Sequence, residues 1–255
     1  MMVFSNSCPA RRGAAAEEKK LSQYCKMRLR ASMKDTLHSA EDLQQIYRSR
    51  FAGKSAYRQK VWRVLSAYFS AWIPPDAAVL DLGAGHCEFI NAVQCRAKYA
   101  MDLNPETREL ANTDVTVIHQ DCSQPWHVPA ASLDAVFTSN FFEHLPSKMA
   151  LERTLEEAHH ALKPGGQLIA MGPNIKAVPG KYWDFFDHYL PLTELSLAEV
   201  AIKCGFRVSR CLPRFLPYTM SSGREHPLIM LRVYLRMPFA WRFFGHQFLV
   251  ILRKP

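Results

Sequence analysis

Val79-Leu80-Asp81-Leu82-Gly83-Ala84-Gly85-His86-Cys87-Glu88-Phe89 reads as a strand, a glycine-rich turn and the start of a helix. Glycine lets a backbone take positive φ and lets a ligand come close, and a helix start aims its N–H groups at that ligand. A dinucleotide site would show Gly-x-Gly-x-x-Gly, with the third glycine packing helix on strand. Here that position is Glu88, whose negative charge counts against a pyrophosphate.

Outward from this turn, strands and helices alternate. Ala77–Leu82 reads as a strand and His86–Gln94 as a helix. Ala97–Asp102 is a second strand, and Pro105–Ala111 opens a helix with proline in its first turn. Val115–His119 and Leu133–Ser139 follow as strands. Ser147–Leu162 is amphipathic, with Ser147 as N-cap and Pro164-Gly165-Gly166 as its stop. Gln167–Gly172 is the fifth strand. Thr193–Cys204 is a helix closed by Gly205, and Phe206–Phe215 and Gln247–Leu252 are the last strands. This order predicts an α/β fold: a mostly parallel seven-stranded sheet with helices on both faces and right-handed crossovers.

At the N-terminal side, Tyr57–Trp72 has helical spacing of Val61, Val64, Leu65, Phe69 and Trp72, and Pro74-Pro75 stops it. Residues 1–40 are basic and weakly periodic, expected to be partly disordered with some helix over Ala14–Ser32. Residues 41–255 are expected to form one domain. Within it, 41–75 give an N-terminal helical extension, and 173–255 give the acceptor-side and C-terminal elements.

Three acids end three successive strand regions: Asp81, Asp102 and Asp121. Ligands of open α/β sheets bind along that edge. Asp102 lies where an acid can hold ribose hydroxyls, and Asp121 can accept from an adenine amino group. These residues, with Leu133-Asp134-Ala135-Val136-Phe137, Phe142-Glu143-His144-Leu145 and Leu162-Lys163-Pro164-Gly165-Gly166-Gln167-Leu168-Ile169, resemble the class I S-adenosylmethionine (SAM)-dependent methyltransferases, type 11/12 group, over roughly residues 57–215. The resemblance implies a Rossmann-like fold with SAM as cofactor. It implies that Gly83, Ala84 and Gly85 lie against the methionine part and ribose. Asp102 would bind the ribose diol, and Asp121 with Cys122 would line the adenine pocket. Ser139 and Asn140 would sit near the methyl group, and Asp81 and Leu103 complete the cofactor contacts. The third glycine common in this group is Cys87 here.

Residues 172–175, 182–193 and 214–219 also resemble methyltransferases of bacterial glycoconjugate biosynthesis. A small-molecule or glycoconjugate acceptor is therefore expected. Methyl transfer needs alignment and loss of a proton, and it requires no metal. His144, Asp187 and His188 are the candidate bases. The competing reading is that Glu143-His144-Leu145 only shapes its loop. Tyr182, Trp183, Phe185 and Phe186 either stack on a flat substrate face or bury their loop against the core.

Seven scattered cysteines without a Cys-x-x-Cys pair read as reduced thiols of a cytoplasmic protein and give no zinc site. No apolar run is long enough to span a bilayer, and no secretory apolar region follows Met1. Arg and Ser content suits a transit peptide, while Glu17 and Glu18 count against one. The net charge of +9 is uneven. Residues 1–60 carry 13 Lys/Arg against 5 Asp/Glu, and residues 203–255 carry 10 against 1. Such ends suit solvation or an anionic partner. Leu228–Trp241 interleaves Arg232 and Arg236 with apolar residues. It reads as a helix crossing to the last strand, or as one lying on an anionic membrane surface, kinked at Pro238. DNA is not expected as a partner; RNA stays open. The rival readings are an RNA- or protein-modifying methyltransferase and a non-catalytic binding protein on the same fold.

Overall fold

The computed structural model describes residues 55–218 and 225–255. The expectations for residues 1–40, and for helices between 41 and 54, lie outside the described residues. Helix α1 (Ser55–Phe69) leads into a seven-stranded sheet. Its strands are β1 (Ala78–Leu82), β2 (Ala97–Asp102), β3 (Val115–His119), β4 (Leu133–Ser139), β5 (Leu162–Pro173), β6 (Arg207–Leu212) and β7 (Gln247–Arg253). They lie in the order β3-β2-β1-β4-β5-β7-β6. All neighbours are parallel except β7, which runs antiparallel to β5 and β6.

Side chains alternate across β1, so one strand feeds two cores. Leu80 and Leu82 face α4 (Lys148–Ala161) and α5 (Glu194–Lys203), where Leu151, Leu155 and Leu197 are buried. Val79 faces the other layer, with Trp62, Leu65 and Phe69 of α1 and Phe89 and Ile90 of α2 (Glu88–Ala92). Each such buried side chain contributes about 1.5–3 kcal/mol. The mostly parallel α/β sheet covered on both faces is the expected fold. Ser147 caps α4 by accepting from the Ala150 N–H at 3.1 Å. Gly205 takes φ +93 after α5, and Thr193 and Ser196 form a reciprocal capping box at its start.

Three expectations need correction. The glycine run 163–166 does not lie outside the sheet. β5 begins at Leu162, bulges away from β4 there, and exchanges Gly165 N–H and Gly166 C=O bonds with Lys254 of the chain end. The helix after the glycine turn is shorter than expected, because Cys87 sits at φ 57 and the helix starts only at Glu88. Pro238 does not kink one helix but separates two. α6 (Leu228–Leu235) ends, and α7 (Pro238–Phe244) begins with that proline in its first turn. The remaining helix, α3 (Thr107–Leu110), is a single turn. Among the described residues, no helix is long and apolar enough to cross a membrane.

Strand order reverses between β1 and β4: the chain runs outward from β1 through β2 to β3 on one side, then crosses back from β3 to β4 on the other side of β1. The crevice beyond the C-terminal ends of these two strands is where an open α/β sheet offers a binding site.

Candidate active site

The turn after β1 is held open by hydrogen bonds from its neighbours. Gly83 and Ala84 donate their N–H groups to Met101 C=O, at 2.9 and 3.2 Å. Asp102 accepts the Gly85 N–H at 2.7 Å and the Asn104 N–H at 2.8 Å. The Thr107 hydroxyl donates to Gly85 C=O at 2.9 Å. Gly83 at φ +70 and Gly85 at φ +48 take the left-handed conformation. A Cβ on Gly83 would lie 2.2 Å from the Phe141 ring.

This bend forms one wall of a pocket whose lining includes Asp81, Gly83, Ala84, Gly85, Ser139, Asn140, His144 and His188. Asp81 is buried at the end of β1. Burial pushes its carboxyl well above the ordinary range; the Ile90 N–H opposes this, and the charges of Asp102 and Glu88 add to it. Glu88 is paired to Arg58 by two contacts of 2.5 Å. Trp62, Phe89 and Phe137 make an apolar side, with the latter two rings stacked at 3.6 Å. Burial also pushes the Cys87 and Cys122 thiols up to about 12 each. Neither is a thiolate nucleophile at neutral pH.

Opposite the bend, the segment after β4 carries Asn140 at φ 52, and Ser139 donates its hydroxyl to Asn140 Oδ1 at 3.0 Å. A 3-10 turn, Phe142–His144, follows. Tyr189 and Leu190 donate their N–H groups to Glu143 C=O at 2.8 and 3.1 Å. That pairing carries His188 to the pocket and Asp187 to the back of His144, 43 or more residues along the chain from it. His144 Nδ1 faces Asp187 twice, at 2.9 Å from the backbone oxygen and 3.2 Å from Oδ2. Burial lowers the His144 pKa, but the hydrogen bond to Asp187 and the charges of Glu143 and Asp187 outweigh it, so the net direction is up.

The expected site residues thus divide. Asp81, Gly83, Ala84, Gly85, Ser139, Asn140, His144 and His188 surround one cavity. Asp102 stands behind the glycine bend. Leu103 beside it is 45% exposed. Asp121 at the end of β3 is exposed and accepts from the Ser123 N–H and hydroxyl at 2.8 and 2.9 Å. The Cys122 thiol faces the core, 3.3 Å from the Thr154 hydroxyl, so only its backbone is left to a ligand. Asp187 does not line the pocket; it is buried behind His144.

The aromatic loop splits as well. Tyr182 is fully buried and donates its hydroxyl to Leu190 C=O. Phe185 lines the pocket and stacks on His188 at 5.0 Å. Trp183 and Phe186 are exposed. Sequence reading passed over Arg58, Trp62, Glu143, Tyr218 and Gln247, which also line the pocket. Only Glu143 carried a signal, as the acid beside His144.

The sequence matches the methyltransferase domain family over residues 55–210. No curated protein sequence matches the chain. Solved structures share the fold at low identity. A SAM-dependent methyltransferase from Archaeoglobus fulgidus is 17% identical with a TM-score of 0.60, over 84% of this chain and 100% of its own. One from Mesorhizobium loti is 15% identical with a TM-score of 0.53, over 74% and 96%.

The Gly83→Ala variant is expected to lose stability through two separable causes. Left-handed strain costs about 1–2 kcal/mol, and the Phe141 ring must also move. Urea unfolding should show Gly83→Ala/Phe141→Ala less destabilised than the sum of the two single variants. Simple additivity would refute the contact.

Proposed function

The chain belongs to the methyltransferase domain family, with SAM as its methyl donor, and from that premise we propose that it methylates a small-molecule or glycoconjugate acceptor held between the glycine bend and the Glu143–His188 wall. The observation that carries this reading is the pocket itself, which joins a cradle for a cationic cofactor to a wall of acid and imidazole groups.

The lining fits SAM. Asp81, Glu88 and Glu143 are acids, and Trp62 and Phe137 present rings, which suits an ammonium group and a sulfonium. We assign Gly83, Ala84, Gly85 and Asp81 to the methionine part, and Ser139 and Asn140 to the region of the methyl group. Asp102 serves the ribose. Leu103, Asp121 and the Cys122 backbone, at the neighbouring strand ends, serve the base. When bound, SAM supplies a methyl group that moves in line to the acceptor's nucleophile, with the S–C bonding pair returning to sulfur.

The acceptor is set against His144 and His188. Asp187 acts through His144: it holds a hydrogen on Nδ1 and so keeps Nε2 on the Glu143 side. Nε2 there is placed to take the proton that the acceptor loses as it becomes nucleophilic. Phe185 and Tyr218, whose ring centroids lie 5.8 Å apart, offer an aromatic wall to a sugar ring.

The acceptor is further proposed to be met at an anionic membrane surface. α6 and α7 expose Ile229, Met230, Val233, Phe239, Phe243 and Phe244. Arg232, Arg236 and Arg242 stand exposed among them, with no acid between residues 226 and 255. Their inner face is occupied, because Leu235 and Trp241 pack into the core beside α1. A basic surface with protruding aromatics suits lipid headgroups.

Four outcomes test this reading. After incubation with labelled SAM and fractionated extract, label should enter lipid or sugar; label confined to RNA or protein would transfer the chain to that acceptor class. Vesicles rich in anionic lipid should sediment the protein at low salt, and Phe239→Ser/Phe243→Ser should release it. Protein that stays in the supernatant throughout removes the membrane. Asp81→Asn should weaken SAM by more than about tenfold, the worth of one charge-assisted hydrogen bond of about 1.5 kcal/mol. The same variant should raise the Tm of the ligand-free protein at neutral pH. The folded pKa of Asp81 lies above its unfolded value, so the wild type loses stability as pH rises from about 4 toward that folded value. An Asp81→Asn Tm advantage that does not grow with pH would contradict this.

A further inference from the structure

We infer that Glu143, His144 and His188 form a divalent-metal site on the acceptor side of the pocket. The inference rests on the proposed function, because it names what holds the acceptor there.

One ligand atom from each of the three side chains lies within 4.8 Å of the others. All three line the pocket, and Glu143 and His188 are buried. The Nδ1 of His144 faces two oxygens of Asp187 and so carries a hydrogen. In the neutral ring this leaves the lone pair on Nε2. That atom stands 4.0 Å from Glu143 Oε1, beyond hydrogen-bond reach. The two atoms need to close by only about half an ångström to share an ion with bonds of about 2.0–2.2 Å to nitrogen and oxygen. The carboxylate–imidazole arrangement of Asp187 behind His144 is the support that metal-ligating histidines receive from their surroundings.

The three groups are held in place by features outside the ligand set. The Tyr189 and Leu190 N–H groups fix the Glu143 peptide against the loop that bears His188. Phe185 stacks on the His188 ring. Glu143 and His144 lie 45 and 44 positions from His188, so no short ligand spacing marks the set in the sequence.

Two imidazole nitrogens and one carboxylate oxygen are a donor set for Zn²⁺, Mn²⁺ or a neighbouring first-row ion. Such a set leaves coordination positions open toward the pocket. With the ion bound, His144 serves as a ligand in place of its role as base, and an acceptor hydroxyl held there would have its pKa lowered and would release its proton to water, leaving an alkoxide in place to attack. The acceptor class that follows is an oxygen nucleophile, a hydroxyl of a sugar or related polyol.

The test uses the full chain stripped with EDTA. Titration with Zn²⁺, and with Mn²⁺ followed by its electron paramagnetic resonance signal, should give one equivalent of bound ion and a rise in Tm. Glu143→Gln and His188→Asn should each abolish that equivalent. Asp187→Asn should weaken it by about 10–100-fold. No binding by the wild type would overturn the site, as would uptake that the substitutions leave unchanged. SAM binding by the stripped wild type separates the two readings. If SAM binds and the metal does not, the metal site alone falls; if SAM does not bind, the cofactor pocket falls. Melting curves in EDTA identify a variant that has lost its fold, and the wild-type signal then decides.

Discussion

The carboxylate of Asp102 accepts the Gly85 N–H and the Asn104 N–H, and the rest of the pocket follows from that clasp. It ties the end of β2 to the bend after β1, so the bend cannot relax into a regular helix start. Two residues of the bend then sit at positive φ, and Cys87 joins them before α2 begins. A half-buried carboxylate gives up part of its hydration, and two backbone donors offset that cost. The bend is tight enough that Phe141, arriving from β4, fills the place a Gly83 side chain would need.

From this clasp the pocket divides into two halves with different physics. The glycine half is backbone and buried acid. Asp81 sits there in an environment that disfavours its charge, which a cationic ligand would reverse. The opposite half is side chains from two distant segments, joined by the N–H groups of Tyr189 and Leu190 on Glu143 C=O. The first half is set by local turn chemistry and the second by a tertiary pairing. Substrates can vary across a family when only the second half changes, because the two halves have separate supports.

The C-terminal elements close the sheet and place a surface beside the pocket. β7 inserts antiparallel between β5 and β6, and the segments before it pack against α1. The Tyr57 hydroxyl donates to His226 C=O at 3.0 Å and accepts the His226 N–H at 3.0 Å. Trp241 of α7 packs edge-on against Tyr68, so the exposed aromatics of α7 are anchored to the same helix that supplies Arg58 and Trp62 to the pocket.

Much of this was legible in the chain. Strand–helix alternation, the glycines of the bend, the acids at or near the ends of β1, β2 and β3, the Ser147 cap and the left-handed Gly205 are all written in short stretches of sequence. Local steric and hydrogen-bonding rules fix such features. The tertiary structure alone decided that Asp121 turns to Ser123, that the Cys122 thiol faces Thr154, and that Asp187 stands behind His144 rather than in the cavity. It alone brought Glu143, His144 and His188 together and set Arg58 on Glu88. These are contacts between segments whose separation in sequence carries no spacing rule. Only the packing of the sheet, and the backbone bonds it completes, determines which side chains meet.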